Sequence, residues 1–321
     1  MIKDYKYIAL GLLFSLLITA CSKDGADGND VTKPNEQTKE IRFNADVWKM
    51  AEATRATILN NTYLITNGFI CTAYTANSST ANGDVNIENN HVTWNGSRWV
   101  FDGGTRNWPA GSLDFFAYMP SMIPAYIKNT SDAPSAVTYN AGTVQFKCDN
   151  LDQADMTEFV YALALDQNKA GTNTSTQPTP GQVALNFLHP FTRIILRLSE
   201  NHPAIRINTI TFKSIKKSGS YNNGTWTPSG DVTDLVWTIN TSYPTQVDAR
   251  VINDSYLVIP QTWAGAIDVN ATWNVWGESQ TKTVSTTLSS VTWQRGNSYT
   301  YTFTITPTDL TVNTSKFTEQ W

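Results

Sequence analysis

The sequence predicts an all-β fold of the sandwich or barrel type, and three features of the 321-residue chain support this prediction. Apolar and polar residues alternate along several short runs, the pattern of strands with one buried face, and Tyr299–Ile305 is the clearest of them. Turn-forming clusters such as Asn222-Asn223-Gly224 separate these runs. Charged residues make up only 16% of the chain, whereas tryptophan and tyrosine are plentiful, a composition typical of β-rich extracellular proteins.

The chain begins with a segment that predicts export. Lys3 and Lys6 precede the apolar stretch Ile8–Ala20, which is shorter than the roughly 20 residues that a membrane-spanning helix needs. Its length and its small last residue are typical of a secretory signal peptide. Cys21 follows directly, and the arrangement resembles a bacterial lipobox, whose cysteine receives lipid such as palmitate and becomes the new N-terminus. We therefore expect residues 1–20 to be a lipoprotein signal peptide; an ordinary signal peptide with a chance cysteine is the alternative.

The next segment, residues 21–40, predicts a flexible acidic linker. Val31 is its only aliphatic residue larger than alanine, so the segment buries too little apolar surface to offset the entropy of ordering it. Its early acidic run, Asp24, Asp27 and Asp30, resembles the signal that sends some lipoproteins to the outer face of the outer membrane. We therefore expect a surface-exposed protein that is tethered to the outer membrane through its lipid.

The remaining length, about 280 residues, suits two domains better than one. Between them we place Asp166–Gln182, which is polar, carries Pro178 and Pro180, and lacks a periodic apolar face. A structureless stretch of this length is unusual inside a compact domain, so a linker or long interdomain loop explains it better. We therefore expect an N-terminal β-sandwich at residues 41–180 and a C-terminal β-sandwich at residues 181–321.

Charge and motifs argue against several function classes. The net charge is −4 and the chain has no basic cluster, so we expect no nucleic-acid partner. No G-x-S-x-G, Walker or H-E-x-x-H motif is present, and His91, His189 and His202 lack metal-ligand spacing, so we expect no enzymatic activity, metal or cofactor. Cys71 and Cys148 either pair in the oxidising exterior or remain buried thiols, and the sequence leaves this open.

Five groups of residues follow one another in a recognisable order along the mature chain. They are Ile41–Ala45 with Thr54–Thr57, Trp108–Pro120, Val183–Ile194, Tyr256–Gln261, and Trp293–Tyr301. Together with the lipobox and the closing Trp321 they resemble the fimbrillin family, the subunits of type V pili and their surface-lipoprotein relatives. The resemblance implies two tandem transthyretin-like, Greek-key β-sandwich domains and a structural or adhesive role in a surface pilus (fimbrium).

The resemblance further implies assembly by donor-strand exchange, in which an arginine-specific surface protease removes the first strand. The residue that matches the cleavage position is Arg55; a solvated surface arginine is the alternative reading. The displaced strand would be the segment whose apolar residues alternate with polar ones: Ile41, Phe43, Ala45 and Val47. Removing such a strand would leave an apolar groove flanked by unpaired backbone groups, a template for an incoming strand.

The donor strand in this scheme is the tail, residues 310–321. Leu310 and Val312 share one alternation phase, whereas Phe317 and Trp321 share the other, so a kink is needed between them. The alternative is a C-terminal strand that pairs within its own sheet. The expected partners are other pilus subunits, in a homopolymer or heteropolymer, and the sequence leaves open whether this subunit forms the stalk, the tip or the anchor.

A second function is a monomeric, lipid-anchored carbohydrate-binding surface protein. Trp94, Trp99 and Trp108 lie near Asn95-Gly96 and Gly103-Gly104, and tryptophan rings with neighbouring amides can stack on sugar faces. This predicts a host or bacterial glycan, or a protein, as the ligand. The alternative is that these rings pack the core or its edges, where aromatic residues are favoured.

Overall fold

The computed structural model describes residues 40–47, 59–76, 85–152, 157–171, 181–199, 203–245, 248–275, 278–305, 310–313 and 318–320. Within these residues the chain forms twenty-one strands and one short helix, so the predicted all-β class is confirmed. Several predicted features lie outside the described residues: the signal peptide, nearly all of the acidic linker, Cys21, Arg55, Phe317 and Trp321.

The first half of the chain supplies ten strands and the helix. They are β1 (Arg42–Val47), α1 (Asn61–Asn67), β2 (Phe69–Thr75), β3 (Val85–Trp94), β4 (Trp99–Phe101), β5 (Leu113–Met119), β6 (Ile127–Lys128), β7 (Thr138–Asn140), β8 (Thr143–Cys148), β9 (Val160–Gln167) and β10 (Gln182–Phe187). The second half supplies the others. They are β11 (Thr192–Leu198), β12 (Ile205–Asn222), β13 (Thr225–Tyr243), β14 (Arg250–Val258), β15 (Thr262–Trp263), β16 (Ala266–Val275), β17 (Glu278–Thr287), β18 (Val291–Thr292), β19 (Asn297–Ile305), β20 (Leu310–Asn313) and β21 (Thr318–Gln320).

The first core lies between a five-stranded sheet and a two-stranded one. The larger sheet has the order β4-β3-β2-β5-β9, and the smaller is the pair β1-β10. Alternate residues of β5, such as Leu113, Phe115 and Ala117, enter this core because successive side chains of a strand point to opposite faces. Two facing sheets with interdigitated apolar side chains form a sandwich.

The second core lies between β13-β12-β16-β17 and a sheet in which β14, β11 and β19 are neighbours. It is rich in aromatic rings, and Trp237 stacks on Tyr256 with ring centroids 4.2 Å apart. The predicted alternation of Tyr299, Tyr301 and Phe303 holds, since all three are buried in this core.

A hairpin of β12 and β13 extends well beyond the second core. Its turn, Asn223-Gly224, has φ values of 41° and 93°, the positive values that a two-residue type I′ hairpin requires. Near the turn, β12 pairs with β8. The hairpin tip contributes Tyr221 to a third apolar cluster that also contains Phe146 and Phe159. One hairpin therefore joins the second core to strands from the first half of the chain.

A second cluster of turn-forming residues, Pro228-Ser229-Gly230-Asp231, lies inside β13. Ser229 pairs with Ser218 and Val232 with Lys216, so two residues of β13 oppose one of β12. Gly230 has a φ of 77°, the left-handed conformation found at β-bulges. The turn-forming residues thus produce a bulge in an edge strand, where proline is also tolerated.

Two observations bear on the predicted division at residue 180. The apolar residues of β10, Val183, Leu185 and Phe187, lie in the first core, although the predicted division assigns them to the second domain. The pairing of β8 with β12 also crosses the division. Residues 172–180 lie outside the described residues, and two tandem domains stay a prediction.

At the C-terminus, β20 and β21 both pair antiparallel with β19 of the same chain. Asn313 pairs with Thr302 and Thr318 with Tyr299, so the register shifts between the two strands. This is the backbone arrangement expected of a tail that completes its own sheet.

Candidate functional site

The candidate functional site is β1 together with the groove that holds it. β1 pairs with β10 in parallel, in a register that runs from Arg42 opposite Gln182 to Val47 opposite Phe187. On the opposite edge, Ile41 N–H donates to the carbonyl of Arg106 at 2.8 Å. Within the described residues no other strand pairs with β1. β1 therefore belongs to the sandwich through one strand neighbour.

The alternating residues of β1 divide between core and solvent as their spacing predicts. Phe43 and Val47 are 5% and 0% exposed, Ile41 is also buried, and Ala45 is partly buried against the same core. The polar residues between them are exposed. Burying one large apolar side chain contributes roughly 1.5–3 kcal/mol, so β1 both covers the core and is held by it.

Phe43 is the central apolar anchor of β1. Its ring packs edge-to-face on Phe69, Phe101 and Phe115, with centroid separations of 5.5, 5.2 and 5.8 Å. Edge-to-face aromatic pairs contribute about 0.5–1.5 kcal/mol beyond their buried area. These partners come from β2, β4 and β5, so one side chain connects β1 to three strands of the facing sheet.

Polar contacts hold both ends of β1. At its start, the Glu40 carboxylate accepts hydrogen bonds from Arg98 Nη1 at 2.7 Å and Arg42 Nε at 3.3 Å. At its end, Val47 N–H donates to Asn61 Oδ1 at 2.7 Å, and the amide of Asn61 donates to the Asp46 carboxylate. The ion pairs at the start are solvent-exposed and contribute little, whereas the Asn61 contact satisfies a buried backbone donor.

Helix α1, which the sequence pattern did not predict, positions Asn61. Asn60 caps the helix because its side-chain oxygen accepts from Tyr63 N–H at 2.9 Å. Gly68 ends the helix with a φ of 69°, and a Cβ there would lie 2.2 Å from the carbonyl oxygen of Val92. An asparagine cap and a terminal glycine were therefore visible signals, but seven residues are too few for a helical period to stand out.

A buried polar pair lies where the described chain resumes after β1. Leu59 N–H donates to Glu158 Oε2 at 3.2 Å, and Glu158 Oε1 is 2.7 Å from His189 Nδ1. Both side chains of this pair are fully buried. His189 therefore has a structural role here, because a buried carboxylate needs such partners. The pair fixes the chain shortly after Arg55, which itself lies outside the described residues.

The comparisons with known proteins bear on this arrangement. The family model described as "Fimbrillin-like" matches residues 54–321, more than half of the chain. The chain belongs to the fimbrillin-like family. The match begins after β1, so the strand that covers the first core lies outside the matched region. No curated protein gives a significant match to the sequence.

Two solved structures resemble this fimbrillin-like chain in fold. A fimbrial protein from Bacteroides vulgatus matches with a TM-score of 0.58 and 17% identity, covering 88% of this chain and 99% of that one. A protein from Bacteroides ovatus that is assigned to cell adhesion matches with a TM-score of 0.55 and 17% identity, covering 88% and 98%. Similarity at this identity shows a shared fold.

In this fimbrillin-like protein, two of the three tryptophans predicted to contact glycans are core residues. Trp99 and Trp108 are 7% and 4% exposed and pack in the first core. A sugar cannot stack on rings that are covered in this way. Trp94 is 37% exposed, and its ring packs edge-to-face on Trp99. The aromatic platform predicted from the sequence is therefore reduced to one ring.

Cys71 and Cys148 do not pair with each other, because Cys71 lies in the first core and Cys148 in the third cluster. Burial raises the pKa of the Cys71 thiol, which therefore stays protonated.

Among the described residues no group of three or more His, Cys, Asp or Glu side chains could hold a metal ion. The described part of the chain also contains no helix long and apolar enough to cross a membrane.

Proposed function

We propose that this chain is a non-catalytic structural or adhesive subunit of a surface fimbrium, and that it polymerises by exchanging β1 for a strand of another subunit. Family membership and the similarity in fold to a fimbrial protein support the fimbrial role. In this proposal the protein is exported as a lipoprotein on Cys21 and faces outward on the outer membrane. An arginine-specific surface protease then cuts after Arg55, which separates the lipid-bearing piece.

The observation that carries the proposal is the way β1 is held. It covers the first core with Ile41, Phe43 and Val47, yet among the described strands it pairs with β10 alone. Once the chain is cut, β1 can leave by breaking its ladder with β10 and the few hydrogen bonds at its two ends. Its departure would expose the edge of β10 and the Phe43 site, which together form a template for an incoming strand.

An incoming strand restores the backbone hydrogen bonds and the buried apolar contacts that are lost when β1 leaves. Each new backbone hydrogen bond contributes about 0.5–1.5 kcal/mol net, and each buried apolar side chain about 1.5–3 kcal/mol. The sum over one strand can hold subunits together without a covalent link. The groove also sets a requirement for the donor, since a large apolar side chain must fill the space that Phe43 occupies among three aromatic rings.

The test uses the mature chain with Cys21→Ser, so that lipid does not complicate the solution measurements. Limited digestion with trypsin should cut preferentially after Arg55, and the cut protein should form concentration-dependent oligomers in size-exclusion chromatography and filaments in electron microscopy. Arg55→Ala should prevent both changes. Arg197→Ala is the matched control, because Arg197 is an exposed arginine in the second half of the chain and its loss should alter neither.

The result against the proposal is a cleaved protein that keeps residues 41–55 bound and stays monomeric at every concentration. Lipidation has a separate test: labelled palmitate should enter the wild-type protein in cells and should not enter the Cys21→Ser variant. Labelling that is equal in both variants would remove the lipoprotein step while leaving strand exchange untouched.

Deletion of residues 310–321 tests the proposed donor. The backbone of Leu310–Asn313 pairs with β19 in the same chain, so the tail must leave this sheet before it can donate. We expect the deletion to abolish oligomers of cleaved subunits while circular dichroism and cooperative melting are retained. Normal assembly of the shortened subunit would exclude the tail, with Leu310, Val312, Phe317 and Trp321, as the donor.

A further inference from the structure

A cleft of about 400 Å³ lies at the tip of the β12–β13 hairpin, away from β1 and β10. Three segments form it: the tip itself (residues 224–228), the chain after β14 (residues 260–262) and the chain before β19 (residues 292–295). Its volume lies in the range of roughly 300–1,000 Å³ that is usual for small-molecule sites.

Aromatic and proline side chains form the apolar part of the cleft. Trp226 is half-buried, and it packs on Phe191 and Tyr221 with ring centroids 5.3 Å away in each case. Its Nε1–H donates to the carbonyl of Pro190 at 2.6 Å. Trp293 lies buried in the floor and donates to the Tyr301 hydroxyl at 3.0 Å. Because the indole N–H groups are satisfied inside the protein, these rings are held rigidly.

The polar groups of the cleft are hydroxyls and amides. Thr262 Oγ1 and Thr292 Oγ1 are 3.0 Å apart and both residues are exposed. Gln261 is committed to the backbone, since its amide donates to the Lys216 carbonyl at 2.9 Å and accepts from Lys216 N–H at 3.1 Å. Gln294 accepts from Asn297 through Oε1, which leaves its Nε2 donor to a ligand.

Arg295 provides the charge of the cleft. Its guanidinium lies over Gly224, where a Cβ would be 3.3 Å from Nη2, so the glycine gives the arginine its room. The guanidinium makes no ion pair or hydrogen bond within the part of the chain that the structure describes. Among the described residues no carboxylate lines the cleft. Within the described lining, Arg295 is therefore the one charged group, and the other polar groups are neutral.

We propose that this cleft binds a sugar that carries a carboxylate, with the carboxylate on Arg295 and the apolar face of the ring against Trp226. The guanidinium offers paired N–H donors that match a carboxylate. The threonine hydroxyls and the Gln294 amide suit sugar hydroxyl groups, which both donate and accept. A neutral sugar would give the Arg295 guanidinium no carboxylate to bind, and a simple anion would make no contact with the Trp226 ring. The proposal is independent of strand exchange, because no residue of β1 or β10 contributes to the cleft.

The probes are methyl β-D-glucuronide and methyl β-D-glucoside, which differ only in the carboxylate. Saturation-transfer NMR on the full mature chain should show binding of the glucuronide and at least about tenfold weaker binding of the glucoside, the loss expected for a charge-assisted hydrogen bond. Arg295→Gln should weaken the glucuronide by a similar factor without changing the melting temperature. Arg197→Gln is the matched control and should bind as the wild type does.

Several outcomes would overturn the proposal. Equal binding of glucuronide and glucoside would exclude recognition of the carboxylate. Displacement of the glucuronide by an equal concentration of sodium acetate would show an anion site without sugar recognition. Equal losses in Arg295→Gln and Arg197→Gln would show a general charge effect, and absence of transfer to either probe would exclude a sugar site of this kind. Thr292→Val provides a second check, since it should weaken the glucuronide severalfold with the charge intact.

Discussion

The first strand and the long hairpin each cover a hydrophobic core, but they are held in opposite ways. Among the described strands β1 pairs with β10 alone, in parallel, and it is otherwise held by the Phe43 ring and by polar contacts at its two ends. In the hairpin, the Ile205–Phe212 part of β12 lies between β13 and β16 and so has partners on both edges. β1 and β12 both bury an apolar face, but β1 can separate from the protein after one strand pairing breaks, whereas this part of β12 must lose two. A subunit that exchanges one strand needs this asymmetry.

The largest effect should come from removing the anchor of each core. Phe43→Ala and Phe212→Ala each delete a buried ring, and each should lower the free energy of unfolding by about 3–5 kcal/mol. The two variants should differ in local opening. In hydrogen exchange, Phe43→Ala should lower the protection of β1 and β10 by local opening. Phe212→Ala should lower the protection of these two strands only through the loss of global stability. Equal local exchange in both would contradict the comparison.

The hairpin turn should be the next most sensitive point. Gly224→Ala places a Cβ at a φ of 93° and close to Arg295, and left-handed backbone with a side chain costs roughly 1–2 kcal/mol. Denaturant unfolding should show this loss. Gly111→Ala is the control, because its Cβ would meet no atom within 4 Å, and it should change stability little. A stable Gly224→Ala variant would show that the hairpin does not depend on this turn.

A smaller effect should follow from releasing one end of β1. Asn61→Ala leaves the Val47 N–H without its acceptor, at a cost of about 1 kcal/mol. Amide exchange at the end of β1 should accelerate about fivefold, because a loss of about 1 kcal/mol raises the population of the open state by that factor. Asn67→Ala, at the other end of α1, removes an exposed side-chain bond and should leave β1 exchange unchanged. If both variants behave alike, Asn61 does not hold the strand.

The smallest effect should come from the surface of the second core. The Lys213 ammonium hydrogen-bonds Asp234 and holds the pKa of that carboxyl below its ordinary value. A carboxyl with a lowered folded pKa stabilises the fold above its unfolded pKa, near 3.9, and loses this contribution as pH falls through the folded value. Lys213→Met should therefore lower the melting temperature slightly at pH 7, and the difference should shrink as the pH falls to 2. An equal difference at both values would point to packing by the lysine stem instead.

The sequence predicted one part of the candidate site, the buried face of β1, but not the strand that pairs with it. Alternation of Ile41, Phe43, Ala45 and Val47 predicted the face that β1 turns to the core, because a strand repeats every two residues whatever its partner. The partner was not predictable in the same way. β10 lies about 140 positions further along the chain, and no local pattern specifies a pairing between segments so far apart.

The sequence alone determined which residues alternate, where Asn223-Gly224 turns the chain, and that the protein is all-β. These are local properties, set by backbone geometry over a few residues. Only the tertiary structure decided that β12 continues to Asn222 along β8, that Trp99 is buried, and that Arg295 faces a cleft. The reason is that burial and pairing depend on which distant segment arrives opposite, and that is settled by packing of the whole chain.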